Sequence, residues 1–170
     1  ARVIADPIHL FDCVMPCAGG DGVLVMSEAR ARDLGLPFAQ VRAATERHNA
    51  YRDDPIMVRG GWSVDRDELY AMAGVKPADL DFVQFYDDYP VIVMMQYEGH
   101  GLCAEGEGAE FVRAHTLDCE GTMPTNTSGG QLSMGQAGAA GGYLGLVETV
   151  RQLTDWPLGK AVPDANIGLV

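Results

Sequence analysis

The sequence contains little positive charge, few cysteines and no long hydrophobic run. Twelve Lys and Arg residues stand against 24 Asp and Glu residues, and the formal net charge is -12. Nucleic-acid binding needs clustered basic side chains, so this balance argues against it. A polyphosphate ligand would also have to find its cations outside this chain. The acidity itself is typical of a solvated surface.

The four cysteines are Cys13, Cys17, Cys103 and Cys119, too few for a disulfide scaffold and without a CxxC pair. No apolar run approaches the roughly 20 residues of a membrane helix, and the first residues do not have the pattern of a signal peptide. We therefore expect a soluble cytoplasmic protein with free thiols. His115 lies four residues before Cys119, but no further ligand follows at a known spacing, so no metal site is predicted.

Strands and helices alternate along the chain, which predicts an α/β fold with helices on the faces of a sheet. The helix signals are N-caps at Ser27 and Ser63, a stop at Gly74 and a proline start at Pro90. The helix from Pro90 is apolar almost all round and is predicted to be buried. We predict strands over 23–26, 37–46, 81–87 and 165–170, a last long helix to about Leu153, and loops over 49–62 and 101–123.

The first candidate site lies in the stretch FVQFYDDYPVIV. Tyr86, Asp87, Asp88 and Tyr89 follow a predicted strand and precede a helix, the position at which α/β proteins place their sites. A phenol can donate a hydrogen bond to an enolate or carbonyl oxygen, and a neighbouring carboxylate can orient it or accept its proton. The alternative is an acidic turn in which Asp88 caps the next helix.

The second candidate is a glycine-rich stretch that precedes the last helix. It lacks the lysine of a P-loop and does not have GxGxxG spacing. Its amides can form an oxyanion site, since glycine lets the backbone approach a ligand closely. The alternative is a tightly packed helix connection. The glycines concerned are Gly129, Gly130, Gly135, Gly138, Gly141 and Gly142.

Three segments in this order resemble the thiolase superfamily, in particular the thiolase-like domain of sterol carrier protein X and its bacterial lipid-transfer relatives. The first is GGDGVLVMSEARARDLGL, which is similar to the strand and helix that open the C-terminal half of a thiolase. The second, VQFYDDYPVIVMMQYEGHGLCAEGEGAEFV, resembles the motif that reads NEAFA in thiolases and HDCF in the carrier protein. The third, NTSGGQLSMGQAGAAGG, is similar to the thiolase segment with Gly-His-Pro.

The resemblance implies that residues 1–170 form a thiolase-like C-terminal domain, a layered α-β-α half with a mixed sheet, and that the protein is a homodimer. The N-terminal half with the nucleophilic cysteine is expected to lie outside this chain. A second catalytic cysteine, in a final glycine-rich loop, would lie beyond Val170.

Departures from the thiolase pattern imply a different reaction. Gln136 stands in the place of the Gly-His-Pro histidine, and an amide cannot act as a base near neutral pH. Tyr86 stands in the place of the oxyanion-hole Asn or His, and Tyr89 in the place of the motif phenylalanine. Altered in this way, the sequence resembles actinobacterial steroid side-chain aldolases. Those cleave a β-hydroxyacyl-CoA by a retro-aldol reaction with a DUF35-type partner, a zinc ribbon joined to an OB-fold.

The roles expected from this resemblance are as follows. Tyr86 or Tyr143 handles the proton, Asp87 and Asp88 orient the phenols, and Gln136 with the loop amides holds the thioester oxygen. Coenzyme A enters as part of the substrate, and no covalently bound cofactor is expected. The alternatives are a degradative acyl-CoA thiolase and a non-catalytic acyl-CoA or lipid carrier. The residues expected to contact coenzyme A are Gly129, Gly130, Gly135, Ala137 and Gly138.

Overall fold

The structure is a computed structural model that describes residues 1–157 and 159–170, without the side chain of residue 139. Four short strands and six α-helices follow one another, with 3-10 turns between several of them. The elements are β1 (Val3–Ala5), β2 (Ile8–His9), α1 (Glu28–Asp33), α2 (Trp62–Ala73), β3 (Phe82–Val83), α3 (Pro90–Gly99), α4 (Gly108–Ala114), α5 (Gly130–Met134), α6 (Tyr143–Leu153) and β4 (Gly168–Leu169).

Strand β3 lies at the centre of the fold. It pairs in parallel with β4, with Val83 opposite Leu169, and Val83 also forms a parallel bridge to Thr125 on the other side. Apolar Phe82 and Val83 are fully buried, which is expected of a strand covered on both faces. The polar residues that follow β3 therefore emerge beside the ends of two neighbouring chain segments. Strands β1 and β2 form a separate antiparallel pair.

Aromatic side chains from several helices build the main core around β3. Val83, Phe85, Tyr97 and Leu169 form one buried cluster. The Tyr97 ring, from α3, lies 5.3 Å from the Phe85 ring in a T-shaped arrangement and 4.6 Å from the ring of Phe111 in α4. Aromatic pairs with this geometry stabilise a core by about 0.5–1.5 kcal/mol beyond their buried area. This packing holds the second half of α3 against the strand.

The mixed α/β fold class is confirmed, and several local predictions hold. Ser27 caps α1, because its hydroxyl accepts a hydrogen bond from the Arg30 amide at 3.3 Å. Helix α2 ends at Gly74 in the left-handed conformation, and α3 starts at Pro90. The last helix ends at Leu153, and the final predicted strand is present as β4.

Other local predictions are wrong. Ser63 does not cap α2; it lies inside the helix, and its hydroxyl donates to the Gly60 carbonyl at 2.9 Å. The loop predicted over 101–123 contains α4. Helix α3 is not buried all round, since Val91 is 47% exposed. Asp88 does not cap α3, whose N-cap is Tyr89 without a side-chain hydrogen bond.

The strands predicted over 23–26 and 37–46 are also absent. Leu24 and Val25 are instead 81% and 86% exposed. A strand is stable only when a neighbouring strand takes its backbone hydrogen bonds, and the described residues place no such neighbour beside these segments. The chain directly after residues 37–46 is attached to the first turn of α2 by an ion pair between Arg47 and the buried Asp65. Within the described part of the chain, no helix is long and apolar enough to cross a membrane.

Candidate functional site

Tyr86 follows β3 and is held through its backbone by Gln96. The Tyr86 amide donates to Gln96 Oε1 at 3.1 Å, and Gln96 Nε2 donates to the Tyr86 carbonyl at 2.7 Å. Gln96 is buried in α3 and also donates to the Ile92 carbonyl. One buried side chain thus bonds both the backbone N–H and the backbone carbonyl of Tyr86. The backbone that carries the phenol is therefore held in position. Sequence analysis missed Gln96; a glutamine in an apolar helix is the signal that could have revealed it.

The Tyr86 hydroxyl meets Gln136, which is 50 residues further along the chain. Gln136 Nε2 donates to the Tyr86 hydroxyl oxygen at 2.7 Å. The Gln136 backbone is held by the N-terminal segment, since its amide donates to the Met15 carbonyl at 2.8 Å and its carbonyl accepts from the Cys17 amide at 2.9 Å. Tyr86 is 39% exposed, so the pair lies at the surface of the chain. The fold therefore brings together two residues that the sequence motifs singled out.

Asp87 is buried, and both of its carboxylate oxygens accept hydrogen bonds from the backbone of α5. Its Oδ1 accepts from the Gln131 amide at 2.8 Å and its Oδ2 from the Leu132 amide at 3.3 Å. It thereby caps the start of α5, where a carboxylate is favourable. Burial raises the pKa of Asp87, although these hydrogen bonds act in the opposite direction. The hydrogen bonds that the structure gives the Asp87 carboxylate go to α5, and its expected role in orienting a phenol stays a prediction.

Gly130 makes the approach of Asp87 possible. Its backbone is left-handed, with φ of +62°, and the Asp87 carboxylate lies where a Cβ at this position would be. Any other residue would strain the backbone and displace the carboxylate. A glycine at position 130 is therefore required for the contact between Asp87 and α5.

Asn126 joins β3 to this loop, and sequence analysis missed it. It is left-handed with φ of +49°, a conformation that asparagine tolerates better than most residues. Its amide donates to the Val83 carbonyl at 2.9 Å, and its Oδ1 accepts from the Phe85 amide at 2.7 Å. The asparagine that precedes a Thr-Ser-Gly-Gly turn was the available signal.

A buried polar network attaches the same loop to α6. Thr127 Oγ1 donates to Glu148 Oε1 at 2.8 Å and accepts from Gln84 Nε2 at 2.7 Å. Glu148 is 1% exposed and also accepts from Gln152 at 2.8 Å. These bonds fix the loop against α6, while the second carboxylate oxygen of Glu148, Oε2, is buried without a partner among the described residues.

A cavity of about 130 Å³ lies between the end of β3, the loop over 126–131 and the start of α6. Two polar side-chain atoms on its wall are buried without a partner among the described residues, Ser128 Oγ and Gln131 Oε1. Buried polar groups are normally satisfied by protein, water or ligand. The cavity is thus suited to water or to a small polar group.

The other predicted site residues are more loosely placed. Asp88 is half-buried, Tyr89 is 38% exposed, and Tyr143, the first residue of α6, is 54% exposed. Two of the loop amides expected to hold a ligand oxygen are already used within the protein. Gly129 donates to the Asn126 carbonyl at 2.7 Å, and Gly135 donates to the Gln131 carbonyl at 2.9 Å.

The remaining members of the loop set, Ala137 and Gly138, lie at the 3-10 turn over Gly138–Ala140. The histidines and cysteines weighed as metal ligands have separate surroundings. His115 Nδ1 lies 3.1 Å from Thr122 Oγ1, and the Cys119 thiol donates to the Thr127 carbonyl at 3.8 Å. Within residues 1–157 and 159–170, no group of three or more His, Cys, Asp or Glu side chains is arranged to hold a metal ion.

Comparison with known proteins shows which family the chain matches. The profile of the thiolase C-terminal domain-like family matches residues 43–170. The chain is 35% identical over 158 residues to a steroid side-chain-cleaving aldolase of Thermomonospora curvata, covering 89% of this chain and 40% of the relative. It is 34% identical over 161 residues to the 17-hydroxy-3-oxo-4-pregnene-20-carboxyl-CoA lyase of Mycobacterium tuberculosis, covering 90% and 41%.

A solved structure described as an Ltp2-ChsH2(DUF35) aldolase matches with a TM-score of 0.75 and 29% identity, covering 99% of this chain and 45% of that one. The chain thus spans less than half the length of these relatives. The family match extends over three quarters of the sequence and includes the Tyr86 and Gln136 segments. The chain belongs to the thiolase C-terminal domain-like family.

Proposed function

We propose that this chain is the C-terminal part of a carbon–carbon lyase that cleaves a β-hydroxyacyl-CoA by a retro-aldol reaction. The observation that carries the proposal is the hydrogen bond of 2.7 Å from Gln136 Nε2 to the Tyr86 hydroxyl. An amide occupies the place that the thiolase resemblance gives to a basic histidine, and it is bonded to a phenol. The names of the two relatives, an aldolase and a CoA lyase, support the same reaction class.

Tyr86 is the proposed base. In the proposed step its phenolate oxygen takes the proton of the substrate β-hydroxyl, the substrate oxygen forms a carbonyl, and the bond between the α and β carbons breaks. The electron pair of that bond moves into the thioester as an enolate. The proton that Tyr86 has taken is then returned to the enolate carbon, which regenerates the phenolate. No oxidant and no second coenzyme A is consumed, and no covalent cysteine is needed. The products are a ketone or aldehyde and a shorter acyl-CoA.

Gln136 has two parts in this scheme. Its hydrogen bond to the phenol oxygen stabilises the negative charge that the oxygen acquires when it loses its proton. We assign to the second N–H of the same amide the role of holding a substrate oxygen as charge develops on it. Gly130, Ala137 and Gly138 supply the remaining candidate amides. Asp87 acts indirectly, by fixing α5 and the loop beside Tyr86.

Tyr143 is the alternative base, because it is exposed at the start of α6, the helix that borders the cavity. Asp88 and Tyr89 lie next to Tyr86 in the chain and complete the proposed catalytic set. The phenols of Tyr86 and Tyr89 and the side chain of Val91 are all at least 38% exposed, and such a surface suits a bulky apolar acyl group. A steroid side chain is the proposed substrate.

The acidic chain offers few cations for the phosphates of coenzyme A, which enters as part of the substrate. We therefore assign those contacts to the rest of the protein or to a partner of the DUF35 type. The proposed assembly is a thiolase-like homodimer with that partner. The similar solved structure, an aldolase described together with a DUF35 protein, supports this choice of partner.

The test uses the complete protein with its DUF35-type partner and a steroid β-hydroxyacyl-CoA, with ketone release followed by mass spectrometry. Release without free coenzyme A is expected, and Tyr86→Phe should lower kcat by about 10²–10⁴-fold. Tyr51→Phe serves as the control, because Tyr51 lies in the loop before α2 and its hydroxyl hydrogen-bonds Ser63 at the start of that helix. A strict requirement for free coenzyme A would identify a thiolase, and lipid binding without turnover a carrier. Full activity of Tyr86→Phe together with loss in Tyr143→Phe would move the base to α6.

A further inference from the structure

Gly141 and Gly142 precede α6 and have nearly the same backbone conformation. Gly141 has φ of −55° and ψ of −34°, and Gly142 has φ of −62° and ψ of −26°. Both pairs of angles are helical and are open to alanine. Backbone conformation therefore does not explain a glycine at either position.

The surroundings of the two glycines differ sharply. A Cβ at Gly141 would overlap the side-chain amide of Gln131 and would lie 2.8 Å from Gln136 Cγ. A Cβ at Gly142 would meet nothing within 4 Å. Gly141 is buried and Gly142 is exposed. The missing side chain at Gly141 thus leaves the space in which the two glutamines lie.

The two glutamines are not equally free to move. The Gln131 amide borders the cavity described above, so it has room to turn. Gln136 is held through its backbone by Met15 and Cys17. An added methyl group must therefore rotate the Gln136 side chain rather than shift its backbone. Such a rotation takes Nε2 away from the Tyr86 hydroxyl.

We propose that Gly141 is a positioning residue, which sets Gln136 at hydrogen-bonding distance from Tyr86 by leaving room for its side chain. The structural part of this proposal concerns only the Tyr86–Gln136 pair. Its consequence for catalysis rests on the proposed retro-aldol function. Two measurements keep these parts separate.

The first measurement is the side-chain amide resonance of Gln136 in the ¹⁵N-labelled chain, assigned by its loss in Gln136→Ala. Tyr86→Phe defines the resonance position when the hydrogen bond is absent. We expect Gly141→Ala to move the resonance towards that position and Gly142→Ala to leave it unchanged. A parental resonance in folded Gly141→Ala would overturn the proposal.

If Gly141→Ala does not fold, the combination with Gln131→Ala removes the larger overlap and carries the same measurement. The combination is expected to fold and to show the displaced resonance. Its failure to fold would also count against the proposal, because the overlap would then lie elsewhere than at the two glutamines.

The second measurement is a double-mutant cycle in the complete enzyme with its partner. Gly141→Ala should lower kcat by about tenfold, with KM little changed, since one hydrogen bond near the reacting proton is lost. In the Gln136→Ala background it should cause no further loss, whereas general structural damage would lower kcat in both backgrounds. Absence of turnover in the parent enzyme would refute the proposed function and leave the resonance measurement to decide the role of Gly141.

Discussion

Replacing Asp87 by asparagine tests how the site is built, because it keeps the shape of the side chain and removes one acceptor. The carboxylate accepts from two backbone amides of α5, at 2.8 and 3.3 Å. In Asp87→Asn only one oxygen remains. The new amide nitrogen must face a backbone N–H, so one buried donor loses its partner.

An unsatisfied buried donor costs about 1–3 kcal/mol. The neutral amide avoids the cost of burying a charge, which moderates the loss, so we expect the free energy of unfolding to fall by about 1–2 kcal/mol. For a domain of this size the melting temperature should fall by about 2–8 °C. Urea unfolding of the chain, followed by circular dichroism, measures the change in free energy.

The neighbouring Asp88→Asn is the matched control. Asp88 is half-buried and is not the N-cap of α3, so its replacement should stay within about 0.5 kcal/mol of the parent. Equal stability of the parent and Asp87→Asn, or equal losses in both variants, would refute the argument that the Asp87 carboxylate caps α5.

Four further predictions concern the surroundings of the site. Burial, and then the charge of Arg66, lowers the pKa of His100 to about 4 from 6.5. The folded state therefore binds this proton less well than the unfolded state. The free energy of unfolding should fall by up to about 3 kcal/mol as pH decreases from about 6.5 towards 4. His100→Gln should reduce this loss in urea titrations at several pH values. Asn126→Ala should lower the free energy of unfolding by about 2–4 kcal/mol, because it removes the side-chain hydrogen bond and puts alanine in a left-handed backbone conformation. Asn126→Gly tolerates that conformation and should lose less in the same unfolding assay. Equal losses would mean that the backbone conformation is unimportant. Gly130→Ala should destabilise the chain by more than Gly138→Ala in thermal melts, because both are left-handed but only Gly130 faces the Asp87 carboxylate. The pKa of Asp87 is raised in the folded protein, so its contribution to stability is present below the unfolded pKa and is lost as pH rises through the folded pKa. The stability advantage of the parent over Asp87→Asn should accordingly be larger in mild acid than at neutral pH, and the opposite trend in unfolding titrations would show that the amides of α5 outweigh burial.

Features set by a few neighbouring residues were predictable from sequence. The Ser27 cap, the end of α2 at Gly74 and the start of α3 at Pro90 depend on hydrogen bonds and backbone angles within one helical turn. The strands expected over 23–26 and 37–46 depend instead on a partner segment that the pattern of a single stretch does not specify. Alternating or apolar residues therefore gave the wrong answer there.

Residue types and motif order were enough to select candidate site residues such as Tyr86 and Gln136, because both can be read along the chain. The contacts of these residues depend on the folded structure. The Tyr86–Gln136 bond spans 50 residues, and the Asp87 cap of α5 spans 44. Asp87 follows Tyr86 in the sequence but caps α5, because adjacent residues in an extended chain point in different directions. The partner of each side chain therefore depends on how the rest of the chain folds.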